Sequence, residues 1–145
     1  MAITQAIANA FKKQLLEGDA NFASGGDVFK LALYTSSATL NSATTSFTTT
    51  NEVANTGTYA SGGDPLAGQN TSIASGVAIV DFADLSFTGV TLTARGAMIY
   101  NTSSAVTNAA VAILDFGADK TATSGTFTIQ FPAFTTAAAI LRISG

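Results

Sequence analysis

The half of the chain from residue 76 to residue 144 is a succession of short apolar runs separated by turn residues. The stretches GVTLTAR (89–95) and GTFTIQF (125–131) alternate strictly between apolar and polar residues, as half-buried strands do. Strands are predicted at 76–82, 89–95, 96–101, 109–116, 125–131 and 137–143. This spacing predicts a mainly β fold, an antiparallel β-sandwich or jelly-roll-like Greek-key domain. The length of 145 residues suits a single domain over 1–145.

A near-repeat lies within this region, VAIVDF at 77–82 and VAILDF at 111–116. Both copies are apolar on each face, which predicts strands covered on both sides. Each copy precedes a turn and a threonine-rich alternating strand. Two interpretations stay open: a duplicated hairpin-like unit, or unrelated strands with similar residues.

The N-terminal segment carries large apolar residues at every fourth position from Ile3 to Leu15. This period predicts one short amphipathic helix over residues 4–17. Thr4 is the candidate N-cap, and Gly18 is a typical residue to end the helix. With only two lysines, the helix is expected to dock on a sheet or a neighbouring subunit rather than on a membrane.

The pentapeptide ASGGD occurs at 23–27 and again at 60–64. The first copy leads into residues 27–34, which alternate as a half-buried strand does, and the second leads into Pro65. Neither copy precedes a predicted helix, where converging amides could cradle an anion. Both copies are therefore interpreted as sharp turns, because glycine adopts positive φ without steric cost.

Residues 35–72 hold isolated large apolar residues among Thr, Ser, Asn and Gly. Unstructured loops longer than about 12–15 residues are uncommon in compact domains. We therefore predict a long extended arm with short strands, one near 44–53, that neighbouring subunits order. Together with two helix positions, its apolar residues are the candidate assembly contacts: Ile7, Phe11, Leu40, Phe47, Val53, Tyr59 and Leu66.

Charge is scarce, since Asp, Glu, Lys and Arg make up 10% of the chain against about 25% in ordinary proteins. A surface of Thr, Ser, Ala and Gly is easily desolvated and poorly protected against self-association, which favours a subunit of an assembly over a stable monomer. The net charge is −3 and the few cations form no stripe, so nucleic acid is not an expected partner. No apolar run reaches the ~18 residues of a membrane span, and no signal peptide is visible.

The residues that could carry chemistry are four carboxylates beside the repeated strands, Asp81, Asp84, Asp115 and Asp119. Paired carboxylates can act as acid and base or bind calcium, but these spacings are not those of a calcium loop. Aspartates at strand ends commonly cap turns, which is the interpretation we favour. The chain has neither histidine nor cysteine, so serine has no histidine base, and zinc ligation and disulfides are excluded. No enzyme activity, cofactor or metal is predicted.

Three segments carry a family resemblance: FKLALYTSSATLNSATTSFTTTNEV (29–53), VDFADLSFTGVTLTARGAMIYN (80–101) and VAILDFGADKTATSGTFTIQFP (111–132). Together they resemble a family of small virion structural proteins of tailed bacteriophages. This chain has Phe87 where the family pattern has a tryptophan, which preserves the aromatic character.

The resemblance implies a particle protein that is assembled in the bacterial host cytoplasm and located in the virion. A β body, an extended arm and a low-charge surface favour a capsid decoration, or cement, protein. Its expected partners are itself, as a homo-oligomer such as a trimer, and the major capsid protein or other virion proteins. A tail or neck component (tail-tube, adaptor or fibre-base subunit) is the alternative. A receptor- or carbohydrate-binding module is a further one, with Phe47 and Tyr59 as its candidate aromatics.

Overall fold

The computed structural model describes residues 2–135 and 137–144, which form a helix and strands in two antiparallel sheets. The elements are β1 Ala6–Ile7, α1 Asn9–Leu16, β2 Phe29–Tyr34, β3 Asp64–Pro65, β4 Asn70–Ala74, β5 Val77–Asp81, β6 Leu85–Asn101, β7 Ala109–Ile129 and β8 Leu141–Ile143. One sheet has the strand order β1-β7-β6-β2-β3, and the other has the order β4-β5-β8. The prediction of a mainly β fold with antiparallel sheets and one short helix is confirmed.

The centre of the five-stranded sheet is a long hairpin of β6 and β7, with 17 and 21 residues. Four predicted strands merge into these two long ones: 89–95, 96–101, 109–116 and 125–131. They merge because neither Arg95-Gly96 nor the 117–124 segment forms a turn. Instead the ladder shifts register, passing from Gly96↔Asp115 to Ala94↔Lys120, so that residues 116–119 form a bulge. Bulges let so long a strand pair bend and twist around the core.

The two copies of the near-repeat do not occupy equivalent positions. Residues 77–81 form β5, the central strand of the three-stranded sheet, whereas residues 111–116 are an inner part of β7. The second copy continues into the same strand rather than into a turn and a new strand. The structure therefore gives no pair of equivalent hairpin units, and the duplication interpretation is wrong for this fold.

The N-terminal helix is shorter than predicted, and it begins at Asn9 rather than near Thr4. Ala6 and Ile7 instead pair with Ile113 and Ala112 of β7, which satisfies their main-chain groups in a sheet. The helix ends where predicted, because Gly18 follows it with φ +73.

The middle segment, residues 35–72, corrects the prediction of an arm ordered by neighbours. Its large apolar residues Leu40, Val53, Tyr59 and Leu66 are buried in the core of the same chain. The expected strand near 44–53 is reduced to isolated bridges, Ser46 to Ala109 and Glu52 to Tyr34. The physical reason is that β2 and β6 leave an apolar surface. This segment covers that surface within the same chain, so no neighbouring subunit is needed to bury it.

An aromatic cluster joins the two sheets and the helix. The rings of Phe22 and Phe29 stack with centroids 4.3 Å apart and an interplanar angle of 4°. Phe11 of α1 meets Phe22 edge-on at 5.7 Å, and Phe82, directly after β5, lies 5.9 Å from Phe29. Phe131, beyond the end of β7, lies 5.7 Å from Phe82. The cluster fixes α1 and one end of β5 against the five-stranded sheet.

Candidate interaction surface

The three-stranded sheet presents an apolar face that its own chain covers only in part. Its ladders place Ile73, Ala78 and Ile143 in one row across β4, β5 and β8. Paired residues in an antiparallel ladder project from the same face. Ile73 is 78% exposed and Ile143 is 59% exposed, although large aliphatic side chains are usually buried. The outer end of this face is therefore an aliphatic row open to solvent.

Helix α1 forms the opposite wall, and a groove of about 880 Å³ lies between the helix and the sheet. At the end of the helix, Leu16 projects with 91% of its surface exposed. We call this cleft the apolar groove, and most of its lining residues are apolar: Ile7, Phe11, Leu15, Leu16, Phe22, Ile73, Ala78, Ile79, Val80, Leu141 and Ile143. Lys12 and Arg142 are its charged lining residues.

Exposed aliphatic residues concentrate at this groove. The large exposed hydrophobic residues in the described part of the chain are Leu16, Val28, Ile73, Val106 and Ile143. Of these, Leu16, Ile73 and Ile143 line the groove. Covering each of them would contribute about 1.5–3 kcal/mol from apolar burial. An apolar patch of this kind is typical of a protein interaction site.

Strand β4 adds an open edge to the same region. It is an outer strand of its sheet, and all of its residues are exposed. Its sequence NTSIA contains neither charge nor proline, the usual guards of an edge strand. This edge can accept an added strand through its main-chain groups.

A second surface, on the β6–β7 hairpin, is coated with hydroxyl groups. The side-chain oxygens of Thr93 and Thr121 lie 2.9 Å apart, as do those of Ser86 and Thr128. The Thr91 hydroxyl accepts a hydrogen bond of 2.9 Å from the Ser124 N–H. We call these residues the threonine ladder. It is polar but uncharged, so little desolvation opposes contact with another protein.

The structure places most of the predicted assembly contacts inside the fold rather than on its surface. Leu40, Val53, Tyr59 and Leu66 are buried in the core, which corrects their assignment as arm contacts. Phe11 of the helix is buried as well.

The two remaining positions, Ile7 and Phe47, are half-buried. The Phe47 ring stacks on Tyr100 with centroids 4.8 Å apart. Among the seven predicted positions, Ile7 and Phe11 line the apolar groove. Of the two aromatics expected for a carbohydrate site, Tyr59 is buried, whereas Phe47 keeps part of its surface exposed.

Glu52 organises the second ASGGD turn. Its carboxylate accepts hydrogen bonds from the Tyr59 hydroxyl (2.8 Å), the Ser61 hydroxyl (2.8 Å) and the Gly62 N–H (2.6 Å). Gly63 has φ +70, and a Cβ at this position would collide with the Leu31 carbonyl oxygen. Desolvation by burial raises the pKa of Tyr59 far above its usual range and that of Tyr100 to about 12. These phenols therefore stay neutral while the segment is folded, and each keeps the O–H group that it donates in a hydrogen bond.

The first ASGGD turn is held in a similar way. The Asp27 carboxylate accepts a hydrogen bond from the Asn21 N–H at 3.0 Å and one from the Asn101 side-chain amide at 2.8 Å. Both copies of the pentapeptide thus act as structural turns held by a carboxylate.

Of the four candidate aspartates, Asp84 and Asp115 accept hydrogen bonds from backbone N–H groups. The Asp84 carboxylate accepts a hydrogen bond from the Phe131 N–H at 2.9 Å. Asp115 accepts one from the Gly117 N–H at 2.9 Å and pairs with Arg95 at 3.1 Å, and these contacts hold its pKa below the usual value. Asp119 is exposed, and one carboxylate oxygen of Asp81 is buried without a hydrogen-bond partner. Within residues 2–135 and 137–144, no group of three or more acidic, His or Cys side chains could hold a metal.

The residues that best define a surface, Leu16, Ile73 and Ile143, escaped the sequence analysis. The adjacent pair Leu15-Leu16 carried a usable signal, because neighbouring helix residues project about 100° apart. Because Leu15 packs against the core, Leu16 projects toward solvent. Ile73 had no such signal, because it is a lone apolar residue in a polar run.

Comparisons of the chain with family models, curated proteins and solved structures give no match. In the described part of the chain, no helix combines the length and apolar character needed to cross a bilayer.

Proposed function

We propose that this chain is a non-enzymatic structural subunit of a phage particle, and specifically a capsid decoration protein that bridges and stabilises capsid subunits. The observation that carries the proposal is the apolar groove, an aliphatic surface left open by a chain that otherwise completes its own core. A surface of this kind is typical of a protein that works in contact with other proteins. The proposal that those other proteins belong to a phage particle rests on the sequence resemblance to small virion proteins.

The uncharged surface supports the same function in a second way. A decoration protein must cover joints between shell subunits, so it buries a large area against proteins. The threonine ladder and the low content of charge, 10% of residues, keep the desolvation cost of such burial small. The major capsid protein is the proposed partner at the particle surface.

A tail or neck subunit is the second candidate, and the open edge of β4 favours it. Subunits that join edge to edge through uncharged strands build rings or tubes, as such components require. A carbohydrate-binding module has less support, because the large exposed hydrophobic residues of the described chain are aliphatic rather than aromatic.

The deciding experiment adds the purified protein to emptied, expanded capsids of the phage that encodes it. A decoration protein binds until every site is filled, and the decorated shells resist heat better than bare ones. The variant Val106→Asp, which changes an exposed residue outside the groove, should bind equally well and serves as the control. Protein that ignores the shells but forms rings or tubes by itself would contradict the decoration function and favour the tail or neck.

A further inference from the structure

We infer that the apolar groove receives an extended, acidic segment of another protein of the particle, which joins the edge of β4 as a further strand. The inference rests on the proposed function and deepens it, because it states the chemistry of the segment through which a particle partner meets this chain. The occupant is one strand, with apolar side chains toward the groove and a carboxylate toward the positive charge of the groove.

The edge of β4 favours a strand over a helix or an alkyl chain. An outer strand carries main-chain N–H and C=O groups that no neighbouring strand satisfies, and an extended segment can pair with them. In the described part of the chain, β4 is the longest outer strand, with five residues against three in β8 and two each in β1 and β3. All five residues of β4 are exposed.

An added strand would extend the aliphatic row of the groove. The ladders place Ile73 of β4 in one row with Ala78 and Ile143. Side chains two residues apart along a strand share a face, so Thr71 and Ile73 project the same way. A strand beside β4 places every second side chain next to them. Because Ile73 is 78% exposed, apolar side chains at those positions would cover it.

The charges of the groove select the sign of the partner. Lys12 and Arg142 line the groove, and its described lining residues include neither Asp nor Glu. The chain as a whole has a net charge of −3, so the groove is locally opposite in sign to the molecule. The Lys12 ammonium donates a hydrogen bond of 3.2 Å to the neutral amide oxygen of Asn9. A carboxylate of the partner segment would pair with this ammonium, and such complementary charge fixes the orientation of the segment.

The test is an NMR titration of the isotope-labelled protein with a synthetic seven-residue peptide. This glutamate probe has glutamate, valine, valine and glutamate at its odd positions and threonine at its even positions. Signals of β4, Ile73 and Ile143 should shift and saturate. A lysine probe, with lysine in place of glutamate, should bind about threefold more weakly, because it meets like charge at an exposed site. Nonspecific attraction to a chain of net charge −3 would favour the lysine probe instead.

Methylation of main-chain nitrogens in the glutamate probe tests whether it binds as a strand. The N–H groups of alternate residues point to opposite edges of a strand, so only one set can pair with β4. A probe methylated at both valines and a probe methylated at two threonines should therefore differ at least about tenfold in dissociation constant. Equal affinities would contradict an added strand, because a helix or an alkyl chain makes no such distinction.

Variants of the protein test the apolar contact and the charge separately. Ile73→Asp should weaken binding of the glutamate probe at least about tenfold, because it places a like charge in the apolar contact. Lys12→Glu should reverse the preference, so that the lysine probe binds more tightly. Val106→Asp is the matched control, since Val106 is 53% exposed but lies outside the groove. All three positions are exposed, so the variants should keep the thermal midpoint of the wild type.

The inference would be overturned by an absence of saturable shifts, by shifts away from β4, or by a lysine probe that binds the wild type as tightly as the glutamate probe. A β4 edge already covered by a second copy of the chain at the titration concentration would overturn it too. Capsids that bind the wild type and Ile73→Asp equally would remove this contact and leave the decoration function standing. A protein that binds the glutamate probe at β4 but never binds capsids would do the reverse.

Discussion

The two sheets differ in how far the chain covers them. In the five-stranded sheet, the middle segment covers β2 and β6, and Phe29, Leu31, Leu33 and Tyr34 of β2 are fully buried. In the three-stranded sheet, the aromatic cluster covers only the end near Phe82, while Ile73 and Ile143 stay open. The open face of the three-stranded sheet is the surface on which the proposed contact with other proteins rests.

The same comparison separates residues that hold the fold from residues that meet partners. Large apolar residues of the polar middle segment are part of the core, and the helix that lies on the core carries the most exposed leucine of the groove. The following predictions test that division, from the largest expected effect to the smallest.

Replacing residues 36–70 by a short linker should abolish folding. The deletion removes Leu40, Val53, Tyr59 and Leu66, each of which contributes about 1.5–3 kcal/mol by burial. Their sum is comparable with the total stability of a domain, about 5–15 kcal/mol. Circular dichroism and thermal unfolding measure the loss. The control is Thr50→Ala, at an exposed position of the same segment, which should unfold at the wild-type temperature. A truncated protein with a cooperative transition would show that the segment is an independent arm.

Phe29→Ala should destabilise the protein by about 3–5 kcal/mol, because it leaves a cavity beside Phe22 in the closed sheet. Ile73→Ala, in the open sheet, should change the unfolding free energy by less than about 0.5 kcal/mol in the dissociated protein. Denaturant titration at low concentration measures both values. Equal losses would mean that the two sheets are covered alike, contrary to the comparison.

Glu52→Ala should cost about 2 kcal/mol, because it leaves the Gly62 N–H and two hydroxyl groups without their acceptor. Asp119→Ala removes an exposed carboxylate and should have almost no effect. The same denaturant titrations compare the two variants. A Glu52 variant as stable as the wild type would remove this carboxylate from the interactions that hold the middle segment.

Asp115→Asn should cost less than about 1 kcal/mol at neutral pH, because the pair with Arg95 is partly exposed and screened. Contacts with the Gly117 N–H and Arg95 lower the pKa of the folded carboxyl below its ordinary value of 3.8. Its contribution is therefore present above that value and is lost as the pH falls through the lower, folded pKa. Unfolding free energies of both proteins, measured from neutral to acidic pH, should converge at the acidic end. A difference that persists or grows in acid would contradict this assignment.

The strands and the C-terminal end of the helix could be predicted from the sequence, because they depend mainly on residues that are close together in the chain. Alternation identified the outer part of the hairpin, and Gly18 ends the helix with a positive φ, as its position predicted. The helix start was not readable, since pairing of Ala6 and Ile7 with β7 is a long-range interaction. The merging of four predicted strands into two could not be predicted for the same reason. Whether the chain continues as a strand through Gly96 or turns there depends on its pairing with the partner strand.

The candidate surface was harder to predict than the fold. In the middle segment, widely spaced apolar residues suit both an arm that binds neighbours and a loop that covers its own core. Only the position of β2, which receives Val53 and Tyr59 through main-chain and hydroxyl contacts, distinguishes the two. The exposure of Ile73 depends on which strand lies at the edge of its sheet, and strand order cannot be read from a local pattern.

The most direct test of the central claim, that the open sheet is made to be covered by another protein, is methyl NMR with a soluble paramagnetic agent. In dilute protein, the methyl signals of Ile73 and Ile143 should be strongly broadened, while those of Ile99 and Ile113, which are fully buried, stay sharp. In the associated protein, Ile73 and Ile143 should become protected, with no change at Ile99 and Ile113. Protection of Ile73 and Ile143 in the dilute monomer, or their continued broadening in every assembled form, would contradict the account.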